Sequence, residues 1–145
     1  MNLKKVSIIG GGLSGLITSL QLVHEGIAVE VFEKRNYPFH RLCGEYISLE
    51  TLSFLKSLSV YPDEFNPPHI KRLQLTSVNG KSVILPLDLG GFGISRYVFD
   101  YFLFEKAKKG GVVFHENTEV EQVNFNDNHF ELQAAGKVFT SHLVI

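Results

Sequence analysis

The chain has 145 residues, 44% of them hydrophobic and 20% charged, with 12 phenylalanines and no tryptophan. That is enough for one domain with a substantial core. Fourteen basic against fifteen acidic side chains leave a net charge of −1, and the two signs are interspersed, which excludes the basic footprint of a nucleic-acid binder. The single cysteine, Cys43, excludes an intramolecular disulfide framework and fits a reducing, cytoplasmic setting.

Lys4 and Lys5 ahead of an apolar run to Val23 imitate a secretory signal. A glycine cluster and Gln21 interrupt the run, no small-residue cleavage site follows, and the stretch is too short to span a bilayer, so no transmembrane segment is expected. Val6 to Ile9 reads instead as a buried parallel strand. Gly10-Gly11-Gly12-Leu13-Ser14-Gly15 then opens a helix to His24, with Leu16, Leu20 and Val23 on one stripe and Ile17 widening it. Glu25-Gly26 stops that helix, and Val29 to Phe32 is a second strand ending in Glu33-Lys34-Arg35.

A strand, a G-x-G-x-x-G turn, a helix and a strand-terminal acid in register form a dinucleotide-binding fingerprint. Gly10 allows the sharp turn off the strand, Gly12 lets the backbone approach a pyrophosphate, and Gly15 lets helix and sheet come close. The helix start, at Leu13 and Ser14, offers N–H groups and the positive end of its dipole to phosphate. Glu33 lies where a carboxylate accepts hydrogen bonds from an adenosine ribose, and its charge disfavours a 2′-phosphate, although Lys34 and Arg35 soften that repulsion.

Residues 36–45 read as an irregular loop with Pro38 early and Gly44 late. A short helix is expected from about Leu49 to Leu58, with Leu52, Leu55 and Leu58 on one side, followed by a connection from Pro62 to Pro68. Between Ile70 and Leu85 the period switches to two around an Asn79-Gly80 turn, which predicts an antiparallel hairpin. Gly90-Gly91-Phe92-Gly93 reads as a flexible bend, and Ser95 as the cap of a helix to Lys109 that ends at Gly110-Gly111. Val112 to Phe114 is a further strand. Val120 to Phe125 and Phe130 to Ala134 form a second hairpin, Val138 to Ser141 a short strand, and His142 to Ile145 the start of an apolar strand. The chain stops inside that strand, so it is expected to be the front part of a longer polypeptide.

Four stretches together resemble the FAD-binding portion of the flavoprotein superfamily of aromatic-ring hydroxylases, geranylgeranyl reductases and flavin-dependent halogenases. They are Gly10, Gly12 and Gly15 with Glu33; Arg41-Leu42-Cys43-Gly44-Glu45; the run from Gly93 through Arg96 and Asp100 to Leu103, with Ala107 and Gly110; and Thr118-Glu119-Val120. The resemblance covers essentially the whole chain. It implies an α/β fold, a Rossmann-like FAD-binding domain of the glutathione-reductase type, with a parallel sheet and antiparallel hairpins, truncated at residue 145. Residues 62–95 or so would begin a substrate-side antiparallel element. Closure on the flavin's ribityl chain would lie downstream, so residues 1–145 alone are not expected to catalyse.

By the same resemblance, Arg96 contacts FAD phosphate or ribityl, Arg41, Cys43 and Gly44 lie on the loop facing the flavin, and Val120 lies beside the adenine. The implied activity is an FAD-dependent monooxygenase acting on an aromatic or polyketide-like small molecule, with NAD(P)H as transient reductant. Hydrogenation of isoprenoid double bonds is the alternative hinted at by Cys43-Gly44. A different class, an NAD-binding dehydrogenase or a non-redox nucleotide-binding module, predicts another parallel β-α unit straight after Glu33. His24, His40, His69, His115, His129 and His142 are scattered without ligand spacing, so no metal site is expected. Of the aromatic series Tyr97 to Phe104, part is expected in the core and part exposed.

Overall fold

A computed structural model describes residues 5–145. The chain divides into two compact units. One holds the described residues up to His40 together with Asp100–Ile145, and the other is Arg41–Phe99.

The first unit is built on a four-stranded parallel sheet. β1 (Lys5–Ile9) leads through the glycine turn into α1 (Leu13–His24), and β2 (Ala28–Phe32) returns beside β1. β6 (Val113–His115) lies on the other side of β2, and β10 (Leu143–Val144) on the other side of β1, giving the order β10-β1-β2-β6. Alternate residues of these strands serve two layers, because successive side chains point to opposite faces. Val6, Ile8, Val29 and Val31 form one buried cluster with Ala107 and Val112, against which Leu20, Leu22, Val23, Ile27 and Phe114 pack. Fully burying a valine or leucine here contributes about 1.5–3 kcal/mol. Leu20 and Val23 keep the expected stripe of α1, but Ser19 is fully buried in it, its hydroxyl turned back to the carbonyl of Leu16 at 2.7 Å.

The opposite face carries Phe32. It is buried with Leu132 and Ala134 of an antiparallel meander, β7 (Val120–Asn126), β8 (His129–Ala134) and β9 (Lys137–Ser141). Asp127 and Asn128 both take positive φ in the β7–β8 turn, as a two-residue type I′ connection requires. α3 (Arg96–Lys109) buries Phe99, Phe102, Leu103, Phe104 and Ala107 and leaves Tyr97 and Tyr101 exposed, so the aromatic series divides as expected. Gly110 and Gly111 end it, the latter at φ +102°.

In the second unit β4 (His69–Thr76) and β5 (Ser82–Gly93) form the expected hairpin, with Gly80 at φ +79° in its turn. β5 also pairs with β3 (Tyr46–Ser48), giving the order β3-β5-β4. Two expectations are corrected here. The Gly90–Gly93 stretch is not a flexible bend but the paired end of β5. Its glycines admit close neighbours rather than flexibility: a Cβ on Gly91 would sit 2.6 Å from the Ile47 carbonyl oxygen and on the Tyr46 ring. The helix expected from Leu49 to Leu58 is shorter, a 3₁₀ turn at Leu49–Thr51 running into α2 (Leu52–Ser57), with Leu55 its buried residue. Ser48 takes the capping role, its Oγ accepting from the Glu50 N–H at 3.3 Å. Leu73 and Leu75, read as alternating with polar neighbours, are 43% and 52% exposed.

Candidate functional site

The turn after β1 is set by its glycines. Gly10 sits at φ +103°, a conformation costly for any residue with a Cβ, and its N–H donates to the Phe32 carbonyl at 2.8 Å. A Cβ on Gly15 would strike the Gly10 carbonyl oxygen and lie 3.2 Å from Ile8 Cγ2, so the close approach of α1 to β1 requires glycine there. Gly12 is the N-cap of α1 in extended conformation, with no capping side chain and no acid in the first turn. The helix therefore presents backbone N–H groups and positive dipole at its start, around half-buried Leu13 and exposed Ser14.

Glu33 reaches this loop from the end of β2. Its side chain is buried, at 4% relative exposure; Oε2 accepts the Gly11 N–H at 2.9 Å and Oε1 the Arg35 N–H at 3.1 Å. Its own backbone is tied to β6 and the chain beyond: its N–H donates to the His115 carbonyl at 3.0 Å, and its carbonyl accepts from Thr118 N–H at 2.9 Å. A carboxylate has roughly four lone-pair positions, and the Gly11 and Arg35 N–H groups take two of those on Glu33. Lys34 is exposed and pairs with Glu119 at 3.3 Å. Val120 is partly buried and packs against the Phe32 cluster.

The structure thus brings Gly10, Gly12, Leu13, Ser14, Gly15, Glu33 and Lys34 into one neighbourhood of the first unit, while Val120 packs against the Phe32 cluster of that unit. Arg41, Cys43, Gly44 and Arg96 belong to the second unit. Cys43 is exposed, and its sulfur accepts from Glu45 N–H at 3.4 Å. A Cβ on Gly44 would meet open space, so nothing in the unit demands glycine there. Arg96 is half-buried at the first residue of α3. Among the described residues no cluster of metal-ligating side chains occurs, and no helix is long and apolar enough to cross a membrane.

Sequence reasoning passed over two features. Gly11, between the fingerprint glycines, is the one Glu33 holds. Glu30, in the middle of β2, is a buried carboxylate at 5% exposure, bonded to Ser7 Oγ at 2.7 Å, Lys5 Nζ at 2.8 Å and His115 Nε2 at 3.1 Å. Ser7 lies opposite it in the β1–β2 register, and neither residue carries a motif. Burial alone would push the Glu30 carboxyl up; hydrogen bonds from Lys5, Ser7 and His115 outweigh it and hold the group below its ordinary value of 4.5.

A depressed carboxylate contributes stability that is present above its unfolded pKa and lost as pH falls through the folded one. Denaturant unfolding between pH 6 and about pH 3 should therefore show stability falling below about pH 4.5. Glu30→Gln should flatten that part of the profile. An acid limb identical in the variant would remove Glu30 as its source.

Residues 8–42 match the family described as NAD(P)-binding Rossmann-like domain. Among curated proteins, conditioned medium factor receptor 1 of Dictyostelium discoideum is 28% identical over 135 residues, covering 83% of this chain and 26% of its own length. Among solved structures, the flavin-dependent halogenase CmlS is 26% identical with a TM-score of 0.83, covering 99% of this chain and 29% of its own. The p-nitrophenol 4-monooxygenase PnpA from Pseudomonas putida DLL-E4 is 18% identical with a TM-score of 0.85, covering 98% and 40% respectively. The chain has the fold of the N-terminal part of such flavoenzymes and spans between about a quarter and two fifths of these relatives.

Proposed function

We propose that the full-length protein is an FAD-dependent oxidoreductase, and that its reaction is monooxygenation of an aromatic or polyketide-like small molecule with NAD(P)H as reductant. The observation that carries the reading is the buried Glu33 carboxylate holding the N–H of Gly11 in a glycine turn at the uncapped start of α1. This donor set fits a dinucleotide: N–H groups and a helix dipole for the diphosphate, a carboxylate for the ribose. Two relatives of the same fold, a flavin-dependent halogenase and an aromatic monooxygenase, favour the flavin dinucleotide.

In this reading the backbone from Gly10 to Ser14 holds the diphosphate and Glu33 the adenosine ribose. When bound, FAD would supply the redox chemistry, and the protein the orientation and exclusion of water.

The rival NAD-dehydrogenase reading requires another β-α unit straight after Glu33. Here the next strand beside β2 is β6, and an antiparallel sheet intervenes in sequence.

The test is the absorption spectrum of the full-length purified protein, followed by oxygen consumption coupled to NAD(P)H oxidation over a panel of aromatic and isoprenoid substrates. A flavin spectrum with oxygen uptake on aromatics is the expected result. Reduction of isoprenoids without oxygen uptake favours the isoprenoid-reductase alternative, and a colourless protein that FAD does not reconstitute ends the flavin reading. Two variants extend it. Arg96→Ala is expected to shed FAD more readily, increasingly so as salt rises. Cys43→Ala is expected to keep FAD and alter turnover or substrate choice. Flavin retention and steady-state rate measured for both would overturn these placements if the two signatures were exchanged.

A further inference from the structure

Three consecutive glycines, Gly10 to Gly12, form the candidate diphosphate loop, and a glycine run is conformationally the freest stretch a chain can have. A loop that must aim its N–H groups at one ligand needs restraint from outside. The Gly11 N–H has such a restraint in Glu33. Its carbonyl has another in Tyr37, whose hydroxyl donates to Gly11 O.

Tyr37 is itself held from several sides. Its backbone N–H donates to Glu116 Oε1 at 2.9 Å. Its ring stacks on Phe104 of α3 at 4.2 Å and 19°, and meets the edge of Phe114 of β6 at 6.1 Å and 85°. A Cβ on Gly11 would strike the Tyr37 hydroxyl and lie 3.2 Å from Glu33 Cβ, so the middle glycine is shaped by these two side chains rather than by a positive φ.

We propose that Tyr37 is a positioning residue that aims the loop at a diphosphate. The Gly11 carbonyl and the Gly12 N–H belong to one planar trans peptide, so they point in opposite directions and turn together. Binding the carbonyl to a hydroxyl anchored on α3 and β6 fixes the direction of the N–H at the N-cap of α1. With glycine on both sides of this peptide, no Cβ opposes its rotation, and the Tyr37 bond decides which orientation is populated.

The inference rests on the loop being a diphosphate cradle and deepens that reading. It is tested with Tyr37→Phe in the full-length protein, which removes the hydroxyl and keeps the stacked ring. Titration with FAD, ADP and adenosine should show FAD and ADP binding about three- to tenfold more weakly, the range of one hydrogen bond, with adenosine unchanged within about twofold. In the ligand-free variant the Gly11 and Gly12 amides should exchange hydrogen faster by a similar factor, while exchange in the β7–β9 meander stays as in the wild type. Equal losses for adenosine and ADP would show a general structural defect and overturn the proposal, as would unchanged ADP affinity. Wild-type protein that binds ADP but not FAD would end the flavin reading alone, and the effect of Tyr37→Phe on ADP would still decide this one. Binding of neither ligand would end both.

Discussion

Glu33→Ala is expected to weaken FAD binding by the full-length protein roughly ten- to a hundredfold, the equivalent of about 1.5–3 kcal/mol for hydrogen bonds to a charged acceptor. The structure adds a second loss. Glu33 already accepts from the N–H groups of Gly11 and Arg35, and Gly11 is buried. Alanine removes the acceptor from a buried donor, so the ligand-free protein should also lose about 1–3 kcal/mol of stability. Glu33→Gln keeps an acceptor oxygen and should fall between the two. Flavin titration and denaturant unfolding of both variants measure the two losses separately, and an unchanged FAD affinity in Glu33→Ala would remove the residue from the site.

Gly15→Ala is expected to be at least as damaging, through geometry rather than charge. The added methyl would land on the Gly10 carbonyl oxygen and 3.2 Å from Ile8 Cγ2. Both belong to the strand and turn from which α1 departs, and neither is the free end of a flexible side chain. The helix must move away from β1, at about 1–3 kcal/mol for forced overpacking. FAD affinity should fall by more than about tenfold, since a misplacement near 1 Å is enough to spoil an aligned donor set. Alanine normally favours helix over glycine by about 1 kcal/mol, so a stabilised variant would show that the close approach is not needed.

Much of the candidate site's local geometry was legible because its demands are local. Gly10 needs positive φ, Gly15 a missing Cβ, and Glu33 a place at the end of a strand, and each appears as a residue type at fixed spacing. The first hairpin turn was legible for the same reason: in Asn79-Gly80 the missing Cβ of Gly80 admits the positive φ that the turn needs. The Gly90–Gly93 stretch was misread because glycine in a strand and glycine in a bend look alike without the neighbour that crosses it. Tyr46, whose hydroxyl donates to the Gly90 carbonyl at 2.9 Å, is 44 residues away.

The succession of strands and helices in the first unit, its glycine turn and the acid at the end of β2 could all be read from the residues alone, because periodicity and glycine stereochemistry act between adjacent residues. What restrains that turn, and what the Glu30 carboxylate is bonded to, depend on contacts between distant positions. Tyr37 meets Gly11 across 26 positions, Ser7 meets Glu30 across 23, and His115 meets Glu30 across 85. Parallel strands are joined by long crossovers, so residues paired across them share no sequence neighbourhood. A buried carboxylate in the middle of β2 reads as an ordinary glutamate until the sheet closes around it and supplies a lysine, a serine and a histidine.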